Sequence, residues 1–426
     1  MNYLNDDWFV TGTDIEEFKK ELKNITTKTV YFKTQMDKIL FFNITDYGDY
    51  YIIPLHHNRL WKNTKAAMSL KKYPITKDIF LDQGYDEETI HEAFENGLFI
   101  NVEGRKFNSS NIKRLAEHGN CYPVSQKAMN SILARLNKKG GSFLTEDILR
   151  DLTIAKKFNK PVDVLLTVRT EKDKSKVFAI MSDKYLPIAQ TKINEILDII
   201  QKEFKDDFGD YTCLKWSIDH SLTRLYIEFP KAGKDFAETY EYPDKIIPGI
   251  MIETSDIGDC ALRIRSYCRF EETDNVFYAD DEVFQLHTTK LDMKDIEDQI
   301  KKTIYAKMNY YPQHLAELMT IDITTNEMSP KEIKQVMTKM YRRVSKEIGL
   351  VKAISKAKEK VIMDQLIDSI NPELSYTAYD VATTFLCLAN YIDTKDKTLI
   401  DTIAKTVPEV MKINFREEEE EDIVIV

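Results

Sequence analysis

Between residues 162 and 308 the sequence alternates short apolar segments with short polar turns, and this alternation restricts the fold more than any other feature. Strands joined by turns of a few residues pair antiparallel, because a parallel connection needs a much longer crossover. The pattern indicates three hairpins: VDVLLTVRTEKDKSKVFAIM, TCLKWSIDHSLTRLYIEFP and IPGIMIETSDIGDCALRIRSYCRF, the last turning at Asp256–Asp259. We therefore predict one predominantly antiparallel sheet over residues 162–308.

Two segments continue from a strand through a polar turn into a helix. In KVFAIMSDKYLPIAQTKINEIL a helix begins near Thr191, and EVFQLHTTKLDMKDIEDQIKKTI repeats that order from Val283. The apolar spacing in both segments predicts amphipathic helices near 191–204 and 292–308 that pack on the sheet. The shared order of strand, polar turn and helix indicates either an internal duplication or two unrelated segments with the same common order of elements.

The chain divides into four regions by pattern and charge. Residues 1–104 are predicted to form a small mixed α/β N-terminal region, and residues 105–310 a basic helical and antiparallel-sheet core. Residues 311–415 have helical periodicity, with Pro330 at the first position of one helix. Residues 416–426 form an acidic tail, predicted to be disordered. The expected fold class is α+β, an antiparallel sheet of hairpin–strand–helix units followed by a C-terminal helical bundle.

The sequence contains no signature of a known catalytic, metal or cofactor site. The five cysteines form no CxxC pair and the seven histidines are scattered, so we predict reduced thiols and no metal. Neither GxxxxGKS/T nor GxGxxG occurs, so no cofactor is expected. Asp219-His220-Ser221 has the residue types of a catalytic triad, but a hairpin turn favours them for backbone reasons. We predict a non-enzymatic protein without catalytic residues; an enzyme lacking a sequence signature is the alternative.

The acidic pairs and the hydropathy of the chain bear on cation binding, membrane association and secretion. Asp206-Asp207 and Asp280-Asp281 could bind a divalent cation, but we interpret them as solvated turns. No run of 18 apolar residues occurs, and the N-terminus lacks the order of a secretion signal. We therefore expect a cytoplasmic protein that does not bind membranes.

Charge is distributed unevenly along the chain. The net charge is −10, yet residues 105–192 contain 18 Lys/Arg against 8 Asp/Glu. A second basic segment, residues 331–360, contains 10 Lys/Arg against 3 Glu. A local basic surface can bind phosphates whatever the total charge is, so nucleic acid is a candidate partner.

The first basic segment contains most of the candidate nucleic-acid-binding residues. Phosphate contact needs cations on flexible stems, and single-strand binding adds exposed aromatic rings for stacking. Arg263 and Arg265 alternate along one strand, where a sheet could present both to a nucleic-acid backbone. The predicted set is Arg135, Lys138, Lys139, Lys156, Lys157, Lys160, Lys184, Tyr185, Arg263 and Arg265. The alternative is a solvated basic surface that has no partner.

Four stretches resemble a known family. KVFAIMSDKYLPIAQTKINEIL, IMIETSDIGDCALRIRSYCRF, FQLHTTKLDMKDIEDQI and LSYTAYDVATTFLCLANYI resemble, in this order, the prophage and plasmid proteins of domain of unknown function 932. The resemblance spans roughly residues 160–395 and implies a phage or mobile-element origin in a bacterial host. The order of elements in residues 162–204 also resembles Red-beta-type single-strand annealing proteins, which implies DNA binding in a basic groove.

The C-terminal sequence EEEEEDIVIV is similar in composition to the acidic tails of bacterial single-strand-binding proteins. This resemblance implies a tail that competes with DNA for a basic groove or recruits a phage or host protein. A solubilising tail is the alternative. Taken together, we predict a protein that binds single-stranded DNA without catalysis, as an annealing or recombination factor and in homo-oligomeric form. The alternative is a phage protein that acts through protein contacts, in assembly or against host defence.

Overall fold

The computed structural model describes 3–35, 39–43, 50–54, 59–60, 122–123, 125, 128, 131, 163–171, 174–188, 190–241, 245–272, 274, 276–279, 282–287, 290–388, 402–403 and 406–416. Most of the predicted helical segment 105–160, the pair Asp280-Asp281 and the tail from Glu417 lie outside these residues. Within the part described, no helix is long and apolar enough to cross a bilayer.

Strands and helices occur in both halves of the chain, which confirms the α+β class. The strands are β1 (Phe9–Gly12), β2 (Thr29–Gln35), β3 (Ile39–Asn43), β4 (Tyr50–Pro54), β5 (Arg59–Leu60), β6 (Tyr122–Pro123), β7 (Asp163–Glu171), β8 (Lys174–Ser182), β9 (Thr212–Asp219), β10 (Thr223–Glu228), β11 (Ile246–Thr254), β12 (Leu262–Phe270), β13 (Val276–Tyr278) and β14 (Val283–Gln285). The α-helices are α1 (Ile15–Lys28), α2 (Gln190–Phe208), α3 (Pro230–Tyr240), α4 (Met293–Gln299), α5 (Ala306–Leu318), α6 (Pro330–Glu347), α7 (Leu350–Ala353), α8 (Lys356–Asp368) and α9 (Ala378–Leu386).

The largest sheet has seven antiparallel strands in the order β1-β9-β10-β11-β12-β13, with β14 also paired to β12. Its apolar face carries alternating residues such as Ile218, Leu225 and Ile264, which pack against helices α1, α2 and α4. Helices α2 and α4 are the two predicted from apolar spacing. The second continues through a π-helical turn, Ile300–Tyr305, into α5, and Ile300 and Ile304 stay on the buried side.

The prediction of one sheet over residues 162–308 is wrong. Strands β7 and β8 form the expected hairpin, but β7 pairs with β2 in a separate sheet of order β5-β2-β7-β8. Strands β3, β4 and β6 form a third, three-stranded sheet. Hairpin periodicity specifies local pairing alone, so nothing in the pattern excluded a partner from far along the chain.

The N-terminal segment joins the two larger sheets. Strand β1 pairs with β9, β2 pairs with β7, and α1 lies between them in sequence and packs on α2. The Trp216 indole donates a hydrogen bond to the Asp14 carbonyl at 2.9 Å, and Thr11 donates to the Trp216 carbonyl at 2.7 Å. Residues 3–35 are therefore hydrogen-bonded to strands of both larger sheets.

An ion pair holds the two sheets together at their junction. Arg169 of β7 donates through Nη2 to both carboxylate oxygens of Asp256, at 2.9 and 3.0 Å. The Arg169 side chain is 1% exposed, whereas Asp256 keeps 25% of its surface. Gly258, in the same turn as Asp256, has φ +87°, and a Cβ there would collide with Met181 of β8. The positive φ therefore favours glycine at this turn, whereas the Met181 methyl group is the end of a flexible side chain that can move aside.

The C-terminal helices form a second core, as the helical periodicity predicted. Met337, Leu366 and Phe385, from α6, α8 and α9, are buried together, and Phe277 of β13 packs with Tyr311 of α5. Helix α6 begins at Pro330 behind a capping box in which the side chains of Ser329 and Glu332 bond reciprocally to backbone N–H groups. Because Phe277 belongs to the seven-stranded sheet, the second core packs directly on that sheet.

We expect Asp256→Ala to lower the free energy of unfolding by about 3 kcal/mol, because it leaves the Arg169 guanidinium buried without a counter-ion. Arg169→Met combined with Asp256→Ala should recover most of that loss. Urea unfolding measures both, with Lys234→Ala as a control that breaks an exposed pair with Glu238 and costs at most about 0.5 kcal/mol. Equal losses for Asp256→Ala and Lys234→Ala would contradict this role for the ion pair.

Candidate nucleic-acid interface

Tyr185 is buried, which overturns its prediction as an exposed stacking ring. It is 3% exposed, its hydroxyl donates to the Ser255 carbonyl at 2.8 Å, and its ring stacks on His287 with centroids 4.8 Å apart. Both the ring face and the hydroxyl are therefore occupied within the protein. Lys184, the preceding residue, is exposed to solvent.

The turn after β8 is held by the same contacts. The Tyr185 amide bonds back to the Ser182 carbonyl at 3.0 Å, and the Leu186 amide donates to the carbonyl of His287. The His287 Nδ1 lies 3.0 Å from the Leu186 carbonyl, and its Nε2 lies 3.4 Å from the Thr254 hydroxyl. A carbonyl only accepts, so Nδ1 bears the proton. These contacts form one connected network of Ser182, Tyr185, Leu186, Thr254, Ser255 and His287.

Arg263 and Arg265 lie on the same face of β12, as the alternation predicted, but both are engaged in ion pairs. Arg265 donates to Glu282 at 2.9 Å. Arg263 lies 3.4 Å from Glu282 and 3.8 Å from Glu253. A phosphate would have to displace these carboxylates, so this face of the sheet is a poor first contact for a nucleic-acid backbone.

The other six predicted residues lie outside the residues that the structure describes. They are Arg135, Lys138, Lys139, Lys156, Lys157 and Lys160. Their contribution to a basic surface stays a prediction.

The part of the second basic segment that lies in α6, residues 331–347, forms a continuous basic surface. With 100° between successive residues, its exposed cations fall within about 140° of the helix circumference. They are Lys331, Lys334, Lys339, Arg342 and Lys346. The opposite side of α6 is apolar and buried, with Ile333, Met337, Tyr341 and Val344. Burial of that side fixes the orientation of α6 and presents the cations as a stripe roughly 22 Å long.

The three glutamates of residues 331–360 are occupied by contacts of their own. Glu332 closes the capping box with Ser329, and Glu347 accepts from Arg343 Nε at 2.6 Å. Glu359 accepts from the Ser345 hydroxyl at 2.9 Å. Within the described part of the chain, Lys331, Lys334 and Arg342 have no ion pair, so their charges face solvent.

Two further features adjoin the α6 stripe. A shallow groove runs beside its first turns, lined by Lys331, Lys334 and Lys339 with Pro372 from the α8–α9 connection. At the other end, Arg343 Nη2 donates to the Asn414 carbonyl at 3.0 Å. The last described residues, which precede the acidic tail in the sequence, therefore lie against the helix that carries the stripe.

The basic character of this segment was predicted from the sequence, but its placement on one face of a helix was not. The signal was present, because cations at positions 331, 334, 339, 342 and 346 interleave at helical spacing with apolar residues. A helical projection of residues 330–347 separates the two sets and places the stripe from the sequence alone.

The described residues were compared with the chemistry of metal sites and with the triad-like sequence Asp219-His220-Ser221. No group of three or more His, Cys, Asp or Glu that could hold a metal occurs among them. The Asp219 carboxylate accepts from the Ser221 and Leu222 amides at 2.6 and 2.7 Å, so it stabilises the β9–β10 turn. This is the backbone role that the turn position favours.

No family model, curated protein or solved structure matches the chain. The resemblances described from the sequence therefore stay predictions.

His287 should make stability dependent on pH. Burial lowers its pKa below the ordinary value near 6.5, against the opposing effects of the Leu186 carbonyl and Asp256. As the pH falls below about 6.5, the unfolded chain binds a proton that the native His287 resists, so the free energy of unfolding decreases. Urea titrations at pH 8 and pH 5.5 should show a smaller decrease for His287→Asn than for the wild type. Identical decreases would contradict the assignment.

Proposed function

We propose that the protein binds the phosphate backbone of a nucleic acid without catalysing a reaction, and that the α6 stripe is the contact surface. The observation that supports this most is the set of solvent-facing cations on one side of α6, in a segment whose acidic residues are all engaged elsewhere. Lys and Arg on an exposed helix release counterions when they meet phosphates, which is the main driving force of sequence-independent binding.

Single-stranded DNA is the proposed ligand, and a role in annealing or recombination the proposed context. The resemblances in residues 160–395 and in the tail support this choice, together with an origin in a phage or mobile element and a cytoplasmic location in the bacterial host. A homo-oligomeric state belongs to the same proposal. Among the described residues the α6 stripe holds no exposed aromatic ring, so we expect little dependence on base sequence.

A function through protein contacts is the second candidate. Three apolar side chains are exposed in the same helical region, Val351 and Val361 of α7 and α8 and Leu374 in the following turn. Apolar side chains mark a surface that another protein covers when they form one contiguous patch, which is what this second candidate requires of these three residues. A phage assembly component or a host-defence protein is the proposed partner.

Replacing Lys331, Lys334 and Arg342 with Gln should weaken binding to labelled single-stranded DNA by roughly a hundredfold at 0.05 M salt. The slope of log K against log salt should flatten by about 2, since three phosphate contacts are lost at about 0.7 each. Fluorescence anisotropy between 0.05 and 0.2 M salt, with a duplex of equal length in parallel, measures both quantities.

The matched control replaces three exposed lysines on other helices, Lys20, Lys23 and Lys294, and changes the net charge equally. It should leave affinity within about threefold of the wild type, because long-range electrostatics alone are largely screened at these salt concentrations. Equal effects of the two triple variants would rule out α6 as the contact surface. Unchanged binding in both would direct attention to Lys138 and Lys139.

Deleting Glu417–Val426 should tighten DNA binding at low salt and have a smaller effect at high salt. The deleted segment holds six consecutive acidic residues, and Asn414 just before it contacts α6. A tethered hexa-acid has a high effective concentration at the stripe, and its attraction weakens as salt shortens the screening length. Dissociation constants of both forms at 0.05 and 0.2 M salt test this. Equal values at both concentrations would leave the tail as a solubilising segment.

A further inference from the structure

A partly enclosed cavity of about 320 Å³ lies at the junction of the two larger sheets, apart from the α6 stripe. It is bounded by α1 and α2, by the turns after β8, β9 and β11, and by residues of β2 and β7. Its volume is far larger than a single water needs and is at the lower end of the range for ligand pockets, roughly 300–1,000 Å³. A small organic molecule therefore fits within it.

One side of the cavity is aliphatic. Leu22 of α1, Ile193 of α2 and Ile218 of β9 line it, together with Ile188 from the turn after β8. The first three are buried and belong to the main core, whereas Ile188 is partly exposed at the rim. A ligand with an apolar body would gain favourable burial against this side.

The other side of the cavity contains a buried arginine whose donors are only partly used. Arg169 lines the cavity, is 1% exposed and donates to Asp256 through Nη2. Its Nε and Nη1 atoms are buried and have no hydrogen-bond partner among the described residues. The guanidinium carbon lies 4.4 Å from the centre of the Phe178 ring, but an aromatic ring is a weak acceptor. Buried N–H groups are nearly always paired, so a ligand that supplies an oxygen acceptor would complete the hydrogen bonding of Arg169.

The charges of the lining favour a neutral ligand. Asp256 already neutralises Arg169, so this pair contributes no net charge and leaves no carboxylate for a ligand cation. Asp219 is the other charged residue of the described lining, and its Oδ1 accepts from the Ser221 and Leu222 amides. An anion would be repelled by the Asp219 carboxylate, whereas a cation would leave the Arg169 donors unpaired. A neutral oxygen acceptor avoids both penalties.

We propose that this cavity binds a small neutral carbonyl compound, a ketone or an amide on a short aliphatic body. The carbonyl oxygen accepts from Nε or Nη1 of Arg169, and the carbon chain lies against Leu22, Ile193 and Ile218. A carbonyl accepts a hydrogen bond without bringing a net charge into the cavity. A hydrogen bond from a charged donor is also stronger than one between neutral groups.

Three probes built on a six-carbon chain test the acceptor and the charge separately: hexan-2-one, hexylammonium and hexanoate, titrated at pH 7 and followed by ligand-observed NMR. Hexan-2-one should bind on the order of tenfold more tightly than hexylammonium, which has no acceptor, since one hydrogen bond to a charged group contributes about that factor. Hexanoate should also bind more weakly than hexan-2-one, because its charge would be removed from water beside Asp219.

Two cavity variants locate the site. Arg169→Met combined with Asp256→Ala removes the donors without changing the net charge, so it should weaken hexan-2-one about tenfold and should not weaken hexylammonium. Ile188→Trp fills the rim and should weaken hexan-2-one as well. Lys234→Ala, at a position that does not line the cavity, is the control and should leave the affinity for hexan-2-one unchanged.

Thermal unfolding checks that each variant is folded. If the double variant does not fold, the order of the three probes and the Ile188→Trp variant still decide the outcome. The proposal would be overturned by hexanoate or hexylammonium binding as tightly as hexan-2-one. It would also be overturned by hexan-2-one binding that no folded cavity variant changes, or by no saturable binding below about 30 mM, the weakest affinity reasonable for a probe of this size.

Discussion

The buried contact between Arg169 and Asp256 is the interaction on which the arrangement of the two large sheets depends. Removing a guanidinium from water is costly, so Arg169 must keep its carboxylate partner and its aromatic neighbours. Phe178 lies 4.4 Å and Trp8 5.6 Å from the guanidinium carbon. These partners come from the N-terminal segment, from β8 and from the β11–β12 turn. A displacement of any one of them would expose the same charge, so all three positions are coupled.

The turn after β8 reinforces this coupling from the other side. Its Tyr185 and Leu186 contact Ser255 and His287, and so connect three stretches that lie far apart in the sequence. Because these three stretches meet at one junction, Tyr185, Ser255 and His287 share a structural role that their positions along the chain do not reveal. The cavity beside them is bounded by the same turns.

Much of the local structure could be predicted from the sequence, and most of the long-range pairing could not. Alternation correctly gave the hairpins and the two helices after β8 and β14, because period and turn length act over a few residues. The insertion of β2 beside β7 depends on contacts across more than a hundred residues, which no local pattern contains. Tyr185 was misassigned because its polar and proline neighbours indicate a turn, not the direction of its ring. Arg263 and Arg265 were predicted on the correct face of β12. Their ion pairs with Glu282 could not be predicted, because they depend on how β14 pairs with β12.

The N-terminal segment has a consequence for how the chain folds during synthesis. Phe9 pairs with Asp219, and Thr29 pairs with Arg169, so neither sheet can close until a long stretch of chain has been made. At 5–20 residues per second, about 10–40 s separate translation of β1 from that of its partner. Throughout that interval Trp8, Phe18 and Leu22 have no core to enter. These apolar side chains therefore stay exposed on the nascent chain until β9 has been synthesised.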